Sequence, residues 1–135
     1  MIDDDEFNIS VKKMFLIETK DILEGAERFF LDLENQDLEN WSEESIDAIF
    51  RVIHNIKGSS KCVGLKQIFD LTHYLEGILV IIRDKNISAN SEVIPLLFHS
   101  IDRLKKSLNA LSKDINNELD NNDIILKIEL ILSQI

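Results

Sequence analysis

The residue of this sequence best suited to covalent chemistry is a histidine on the second predicted helix, His54. Apolar residues around it recur at helical spacing. At about 100° per residue, His54 falls about 120° from the centre of their stripe. Its imidazole is therefore predicted to lie on the flank of the helix and not in the core. An exposed neutral imidazole is a nucleophile that could take up an anionic group such as phosphoryl.

Two neighbours on the same helix, Lys57 and Gly58, favour that chemistry. Residues three and four positions apart are adjacent on a helix surface, so the Lys57 ammonium is expected near any anion at His54. Glycine inside a helix costs about 1 kcal/mol relative to alanine, but it leaves one side of the imidazole open to a large reactant. The alternative is an ordinary surface histidine, with Gly58 allowing two helices to pack closely.

A second polar pair, His73 and Glu76, has an i to i+3 spacing on the third predicted helix. If that helix packs antiparallel beside the second, either side chain could approach His54. A carboxylate bonded to one imidazole nitrogen fixes the tautomer and makes the other nitrogen more nucleophilic. The alternative is a hydrogen-bonded pair at the helix boundary with no part in chemistry.

The elements that must position these residues are all predicted to be helices. Four glycines and one proline are too few for a turn-rich β fold, and apolar residues recur at helical spacing almost throughout. Five helices are predicted, over 10–34, 42–63, 65–84, 91–111 and 120–135. They are separated by polar breaks, one of them at 86–90, and by Gly64 between the second and the third. Long helices with short connections pack as antiparallel neighbours. The predicted fold class is therefore all-α: an antiparallel up-and-down four-helix bundle with a fifth C-terminal helix.

The domain organisation predicted is a single domain. Residues 1–9 open on an acidic run and are expected to be a disordered N-terminus, which leaves 10–135 for the domain. In the first helix the expected core stripe consists of Val11, Met14, Phe15, Ile17, Ile22, Ala26, Phe29, Phe30 and Leu33.

Composition argues against several classes of function. The 15 basic and 25 acidic residues give a formal charge of −10, which disfavours nucleic-acid binding and adsorption to anionic membranes. No uncharged stretch reaches the roughly 18 residues of a membrane span, and the acidic N-terminus differs from a secretory signal. The lone cysteine, Cys62, permits no internal disulfide, suits a reducing compartment and is expected to be buried. A cytoplasmic location is therefore predicted.

The residues around His54 resemble a known family. The stretch His54–Gly64, HNIKGSSKCVG, resembles the H-x-I-K-G-[GS]-[AS]-x-x-x-G motif of histidine phosphotransfer domains. The stretch Leu71–Leu79, LTHYLEGIL, is similar to the T-H-x-x-E-x-x-L segment in the N-terminal domain of CheA-type chemotaxis kinases. The resemblance spans Phe15–Leu111. It has two departures: Lys61 replaces a residue that is often small or neutral, and Gly77 replaces a larger polar one.

The resemblance implies a left-handed antiparallel four-helix core with a fifth helix. It implies that His54 is the phosphorylated residue, through Nε2, and that Glu76 accepts a hydrogen bond from Nδ1–H. Lys57 and His73 would line the same polar network. Gly58 would clear the approach for partner proteins.

The resemblance also implies a phosphocarrier that depends on separate domains. His54 would receive the γ-phosphoryl group of ATP from a histidine kinase catalytic domain, and the aspartate of a response-regulator receiver domain would then take it. The sequence has no Gly-rich phosphate loop and no Walker-type lysine motif, so ATP and Mg²⁺ are expected on the partner domains and no cofactor or metal on this one. The parent protein is predicted to be a CheA-type histidine kinase; a stand-alone or hybrid-kinase relay protein is the alternative.

Two other classes of function are alternatives to phosphotransfer. A carboxylate-bridged di-iron bundle needs two Glu-x-x-His pairs and two further glutamates, and none of the three histidines has a glutamate three residues before it. A non-catalytic protein-interaction bundle is the other class, and it predicts no labelling by any histidine kinase.

Overall fold

A computed structural model describes residues 3–84, 87–88 and 91–135 of the chain. Within these ranges the elements are α1 (Asp4–Gly25), α2 (Glu27–Asn35), a 3₁₀ turn (Leu38–Asn40), α3 (Glu43–Cys62), α4 (Lys66–Arg83), α5 (Val93–Lys113) and α6 (Asn122–Leu132). The described residues contain no strand, and the predicted all-α class is confirmed. The predicted polar turn at 86–90 lies mostly outside the described residues.

Four of the helices close into a ring. α1 packs against α3, α3 against α4, α4 against α5, and α5 against α1, while α6 lies across α4 and α5. This arrangement is the predicted four-helix bundle with a fifth C-terminal helix. Helix α4 contributes buried residues along its whole length, from Ile68 to Ile82, because it has neighbours on three sides.

The first predicted helix is two helices in the structure. Asp3 accepts a hydrogen bond from the backbone N–H of Glu6 at 2.7 Å and caps α1, so residues 4–9 are helical where a disordered N-terminus was predicted. Helix α1 ends at Gly25, and Ala26 separates it from α2. Apolar spacing continues across this break, which is why the sequence pattern read as one helix.

The core stripe predicted for the first helix is wrong at two positions. Met14 and Ile17 are 60% and 64% exposed, whereas Phe15, Leu16 and Thr19 are buried. An apolar side chain is not required to be buried, and periodicity alone cannot tell which side of a broad apolar stripe meets the bundle.

Helices α3 and α4 run antiparallel, as three contacts show. Phe50 lies under Arg83, His54 contacts Glu76, and Lys61 lies over Phe69, so the residue number on α4 falls as the number on α3 rises. This pairing places the middle of α3 beside the middle of α4.

Hydrogen bonds attach the C-terminal segment to the start of α4. A Glu118 carboxylate oxygen accepts from the backbone N–H groups of Gln67 and Ile68, at 3.1 and 3.4 Å. Asn121, which is fully buried, donates its backbone N–H to the Gln67 side chain at 3.0 Å and its side-chain amide to the Ser107 hydroxyl at 3.1 Å. The two bonds to Glu118 satisfy amides at the start of α4 that lack partners within the helix, and the Asn121 bonds connect the same segment to the Gln67 side chain and to α5.

We expect Asn121→Ala to lower the free energy of unfolding by about 1–3 kcal/mol, because it leaves the buried partner groups of Asn121 without hydrogen bonds. The measurement is urea unfolding followed by the fluorescence of Trp41. The matched control is Asn122→Ala at the exposed neighbouring position, with an expected change within about 0.5 kcal/mol. Equal effects from the two substitutions would contradict this account of the attachment.

Candidate functional site

The start of α3 is fixed by a cluster of hydroxyl groups and one carboxylate. Ser42 caps the helix by accepting a hydrogen bond from the Ser45 backbone N–H at 3.1 Å. Asp32, on α2, accepts hydrogen bonds from the Ser42 and Ser45 hydroxyls at 3.3 and 2.7 Å. This cap sets where α3 begins, and the buried stripe of α3 sets its rotation.

His54 lies on the flank of α3, as predicted. Ile53 and Ile56 are buried on the inward side of the helix, while the His54 side chain is 60% exposed. The imidazole is thus neither covered by neighbouring side chains nor turned into the core.

The surface beside His54 is open at Gly58. A Cβ atom built at Gly58 would meet no atom within 4 Å, so no other helix approaches the backbone there. The alternative explanation of Gly58, close packing of two helices, is therefore wrong. The missing side chain leaves empty space next to the imidazole.

The antiparallel pairing of α3 and α4 brings three of the candidate residues together. The Nδ1 atom of His54 lies 2.9 Å from Glu76 Oε2. The Lys57 Nζ atom lies 3.1 Å from Glu76 Oε1 and 3.0 Å from Oε2. The Glu76 and Lys57 side chains are each 20% exposed, so this contact is sheltered from water on most sides.

The charge on Glu76 determines the tautomer of His54. Partial burial by itself would raise the pKa of Glu76, but hydrogen bonds from His54 and Lys57 outweigh it and hold that pKa below the ordinary value of 4.5. Glu76 is therefore ionised at neutral pH and can only accept hydrogen bonds. The proton of neutral His54 must then be on Nδ1, which leaves the lone pair on Nε2.

Lys57 lies in one polar network with Glu76, as the resemblance implies. Its ammonium is bound to the Glu76 carboxylate, whereas the helix spacing alone suggested a cation available to an anion at His54. It keeps Glu76 ionised and so acts on the imidazole through the carboxylate.

The structure does not bring His73 into this hydrogen-bonded group. Its exposed ring stacks on Phe69, with centroids 6.3 Å apart, and meets the Tyr74 ring edge-on at 5.4 Å. Among the hydrogen bonds of the described residues, none joins His73 to His54, Lys57 or Glu76. The i to i+3 spacing placed His73 and Glu76 on one face, but of the two only Glu76 is hydrogen-bonded to side chains of α3 in the described part of the chain.

An open groove of about 580 Å³ runs from His54 between α1 and α3. Helix α1 contributes residues that the sequence pattern assigned to the core or left unassigned, namely Val11, Met14, Phe15 and Glu18. The α3 side includes Gly58 and Cys62, and Cys62 is exposed where a buried position was expected. The contribution of α1 was missed because periodicity does not show which helix packs beside α3.

Two further properties of the described residues concern metal binding and membrane spans. Within 3–84, 87–88 and 91–135, no three His, Cys, Asp or Glu side chains are grouped as they would be around a metal ion. No helix in the part of the chain that the structure describes is both long and apolar enough to cross a lipid bilayer.

A four-helix bundle with an exposed, carboxylate-bound histidine beside a glycine gap is the architecture of a phosphotransfer domain. The family model described as "Hpt domain" matches residues 10–123, and the chain belongs to this family. The match includes all four residues of the site: His54, Lys57, Gly58 and Glu76.

Curated relatives of this chain include proteins named as chemotaxis proteins. It is 33% identical over 95 residues to "Chemotaxis protein CheA" of Borreliella burgdorferi, which covers 70% of this chain and 11% of that protein. It is 31% identical to "Sensor histidine kinase CheAY" of Helicobacter pylori over 89% of this chain and 15% of the relative. It is also 31% identical to CheA of Treponema pallidum, over 78% of this chain and 13% of the relative. The chain thus spans a small part of the length of these relatives, and the matching part is homologous to their phosphotransfer domain.

We expect Lys57→Met to raise the pKa of Glu76, because the substitution removes one of the two hydrogen bonds that lower it. A depressed carboxylate pKa contributes stability above about pH 4.5 that is lost as the pH falls through the folded-state value, and the variant should lose part of that contribution. The measurement is a ¹³C NMR titration of the Glu76 side-chain carboxyl. Lys61→Met, one helical turn further on, is the control and should leave the Glu76 pKa unchanged; the same shift in both variants would contradict the assignment.

Proposed function

We propose that this chain carries a phosphoryl group on Nε2 of His54 in a CheA-type chemotaxis pathway. One observation carries the proposal: Glu76 is bound to Nδ1 of an imidazole whose side chain is 60% exposed. In the described part of the chain, no hydrogen bond engages Nε2. A nucleophile of this kind needs a free lone pair, a group that orients it, and access for a large reactant.

The first transfer follows from that arrangement. The Nε2 lone pair of His54 attacks the γ-phosphorus of ATP, the bond to the β–γ bridging oxygen breaks, and ADP leaves. Positive charge develops on the ring as the P–N bond forms, and the Glu76 carboxylate stabilises it through the Nδ1–H hydrogen bond. ATP and Mg²⁺ would be held by the catalytic domain of a histidine kinase, which supplies most of the positioning and charge neutralisation.

The second transfer breaks the P–N bond at His54. An aspartate of a response-regulator receiver domain attacks the phosphorus, and the imidazole leaves as the neutral Nδ1–H tautomer. Both partner domains must bring an active site to Nε2. The gap at Gly58 and the groove between α1 and α3 provide the room, and the exposed Met14 gives that groove an apolar wall.

The proposal extends to the parent protein and its location. Relatives named as CheA and CheAY support a parent histidine kinase of the chemotaxis type over a stand-alone or hybrid-kinase relay protein. They also favour phosphotransfer over a non-catalytic interaction bundle. We place the domain in the cytoplasm, where the exposed thiol of Cys62 would remain reduced.

We expect His54→Gln to abolish phosphorylation while the fold is retained, because the His54 side chain is 60% exposed and lies outside the buried core. The measurement is transfer of ³²P from ATP by a chemotaxis-kinase catalytic domain, followed by mapping of the acid-labile label. The matched control is His99→Gln on α5, an exposed histidine outside the site, which should be labelled like the wild type. Acid-labile label that persists in His54→Gln would refute the assignment.

Substitution of Gly58 should separate stability from function. Gly58→Ala is expected to raise the free energy of unfolding by about 0.5–1 kcal/mol, because its Cβ meets only open space and alanine is the better helix former. Gly58→Gln should also fold, but its side chain would occupy the approach to His54 and slow labelling by about tenfold or more. Thermal unfolding and the initial rate of ³²P transfer are the two measurements.

Gly25→Gln is the control for Gly58, because a Cβ at Gly25 is equally unhindered and lies outside the site. It should leave the labelling rate unchanged. A Gly58→Gln protein that is labelled at the wild-type rate would show that the gap has no role in access.

A further inference from the structure

The imidazole of His54 has a second fixed neighbour besides Glu76. The ring of Phe50, one helical turn earlier on α3, is stacked on it with centroids 6.2 Å apart and planes inclined by 10°. This separation lies within the range of favourable offset-stacked aromatic pairs. Phe50 is half-buried and lies at the edge of the stripe formed by the fully buried Ile49 and Ile53.

Phe50 is itself held from the neighbouring helix. The guanidinium carbon of Arg83, in the last turn of α4, lies 4.8 Å from the centroid of the Phe50 ring. This is a cation–π distance, and it connects α4 to α3 at a further point, about one helical turn along α3 and about two turns along α4 from the Glu76 contact. The three side chains form a continuous series, from Arg83 through Phe50 to His54.

The hydrogen bond to Glu76 does not by itself fix the direction of Nε2. This hydrogen bond restrains only the Nδ1 atom. The His54 side chain is 60% exposed, so the hydrogen bond alone leaves the plane of the ring free to tilt. Contact between the face of the imidazole and the Phe50 ring restrains the plane of the imidazole. An atom and a plane together determine where the lone pair of Nε2 points.

We propose that Phe50, supported by Arg83, is a positioning residue that sets the plane of the His54 imidazole and aims Nε2 at the incoming phosphorus. The inference rests on the proposed phosphoryl transfer and adds a requirement to it. Attack on phosphorus needs the lone pair aligned with the bond that breaks, and misalignment slows the step even when all reacting groups are present.

The chain contains two matched comparisons for this stack. Lys61, Phe69 and His73 repeat the same order of cation, aromatic ring and histidine, with distances of 5.8 and 6.3 Å, but His73 has no hydrogen bond to a carboxylate among the described residues. Arg28 lies 4.4 Å from the Phe29 ring on α2, away from any histidine. Phe69→Leu and Arg28→Met therefore remove equivalent contacts from other places.

The test compares Phe50→Leu, Phe50→Tyr and Arg83→Met with these two controls. In labelling by a chemotaxis-kinase catalytic domain we expect kcat to fall about three- to tenfold for Phe50→Leu and less for Arg83→Met, with KM unchanged. Phe50→Tyr keeps the ring and should restore the wild-type rate. Three-bond NMR couplings about χ1 of His54 should report one rotamer in the wild type and averaging in Phe50→Leu, while both controls match the wild type.

The outcomes separate this inference from the proposed function. Absence of labelling in the wild type would refute phosphoryl transfer, whereas the couplings would still report whether Phe50 orients the ring. An unchanged kcat in Phe50→Leu, or a raised KM with unchanged kcat, would overturn the positioning role. If Phe50→Leu does not fold, Arg83→Met decides: a lowered kcat supports the inference and an unchanged one overturns it.

Discussion

The site depends on one contact, the hydrogen bond between Nδ1 of His54 and the carboxylate of Glu76. Because this carboxylate is ionised, it fixes the proton of the imidazole on Nδ1 and leaves the lone pair on Nε2. Lys57 neutralises the same carboxylate from the other side and keeps its pKa low. A surface histidine thereby acquires a defined tautomer without losing its exposure.

That contact in turn requires a rigid pair of helices. Glu76 reaches His54 only because α3 and α4 run antiparallel with their middles side by side. Isoleucines of α3 and leucines and isoleucines of α4 are buried in the core. A shift of α4 by one turn, about 5.4 Å, would separate the two groups completely. The hydrogen bonds from Glu118 and Asn121 at the start of α4, and the Ser42 cap at the start of α3, fix the ends of this pair.

The exposed side of the site is organised differently from the core. Near His54, Gly58 has no side chain and the space that a Cβ would occupy is empty. The apolar side chain of Met14, on the α1 side of the same groove, is exposed. Such features destabilise a free-standing bundle slightly, and they make sense where a second protein must approach closely. The imidazole of His54 is thus hydrogen-bonded to Glu76 and stacked on Phe50, while the rest of the ring is exposed to solvent.

The sequence by itself determined the helical class, the four-plus-one arrangement and the position of His54 on the flank of its helix, because all three follow from apolar periodicity and the short breaks between helices. It also narrowed the partners of His54 to Lys57, His73 and Glu76. Only the tertiary structure decided among these three residues, because it brought Glu76 and Lys57 together with His54 and left His73 stacked on Phe69. The tertiary structure also divided the first predicted helix at Ala26 and left Met14 exposed. The reason is physical, since a helical pattern fixes the direction of a side chain relative to its own axis, whereas the register and rotation of the neighbouring helix arise from packing between residues distant in the chain.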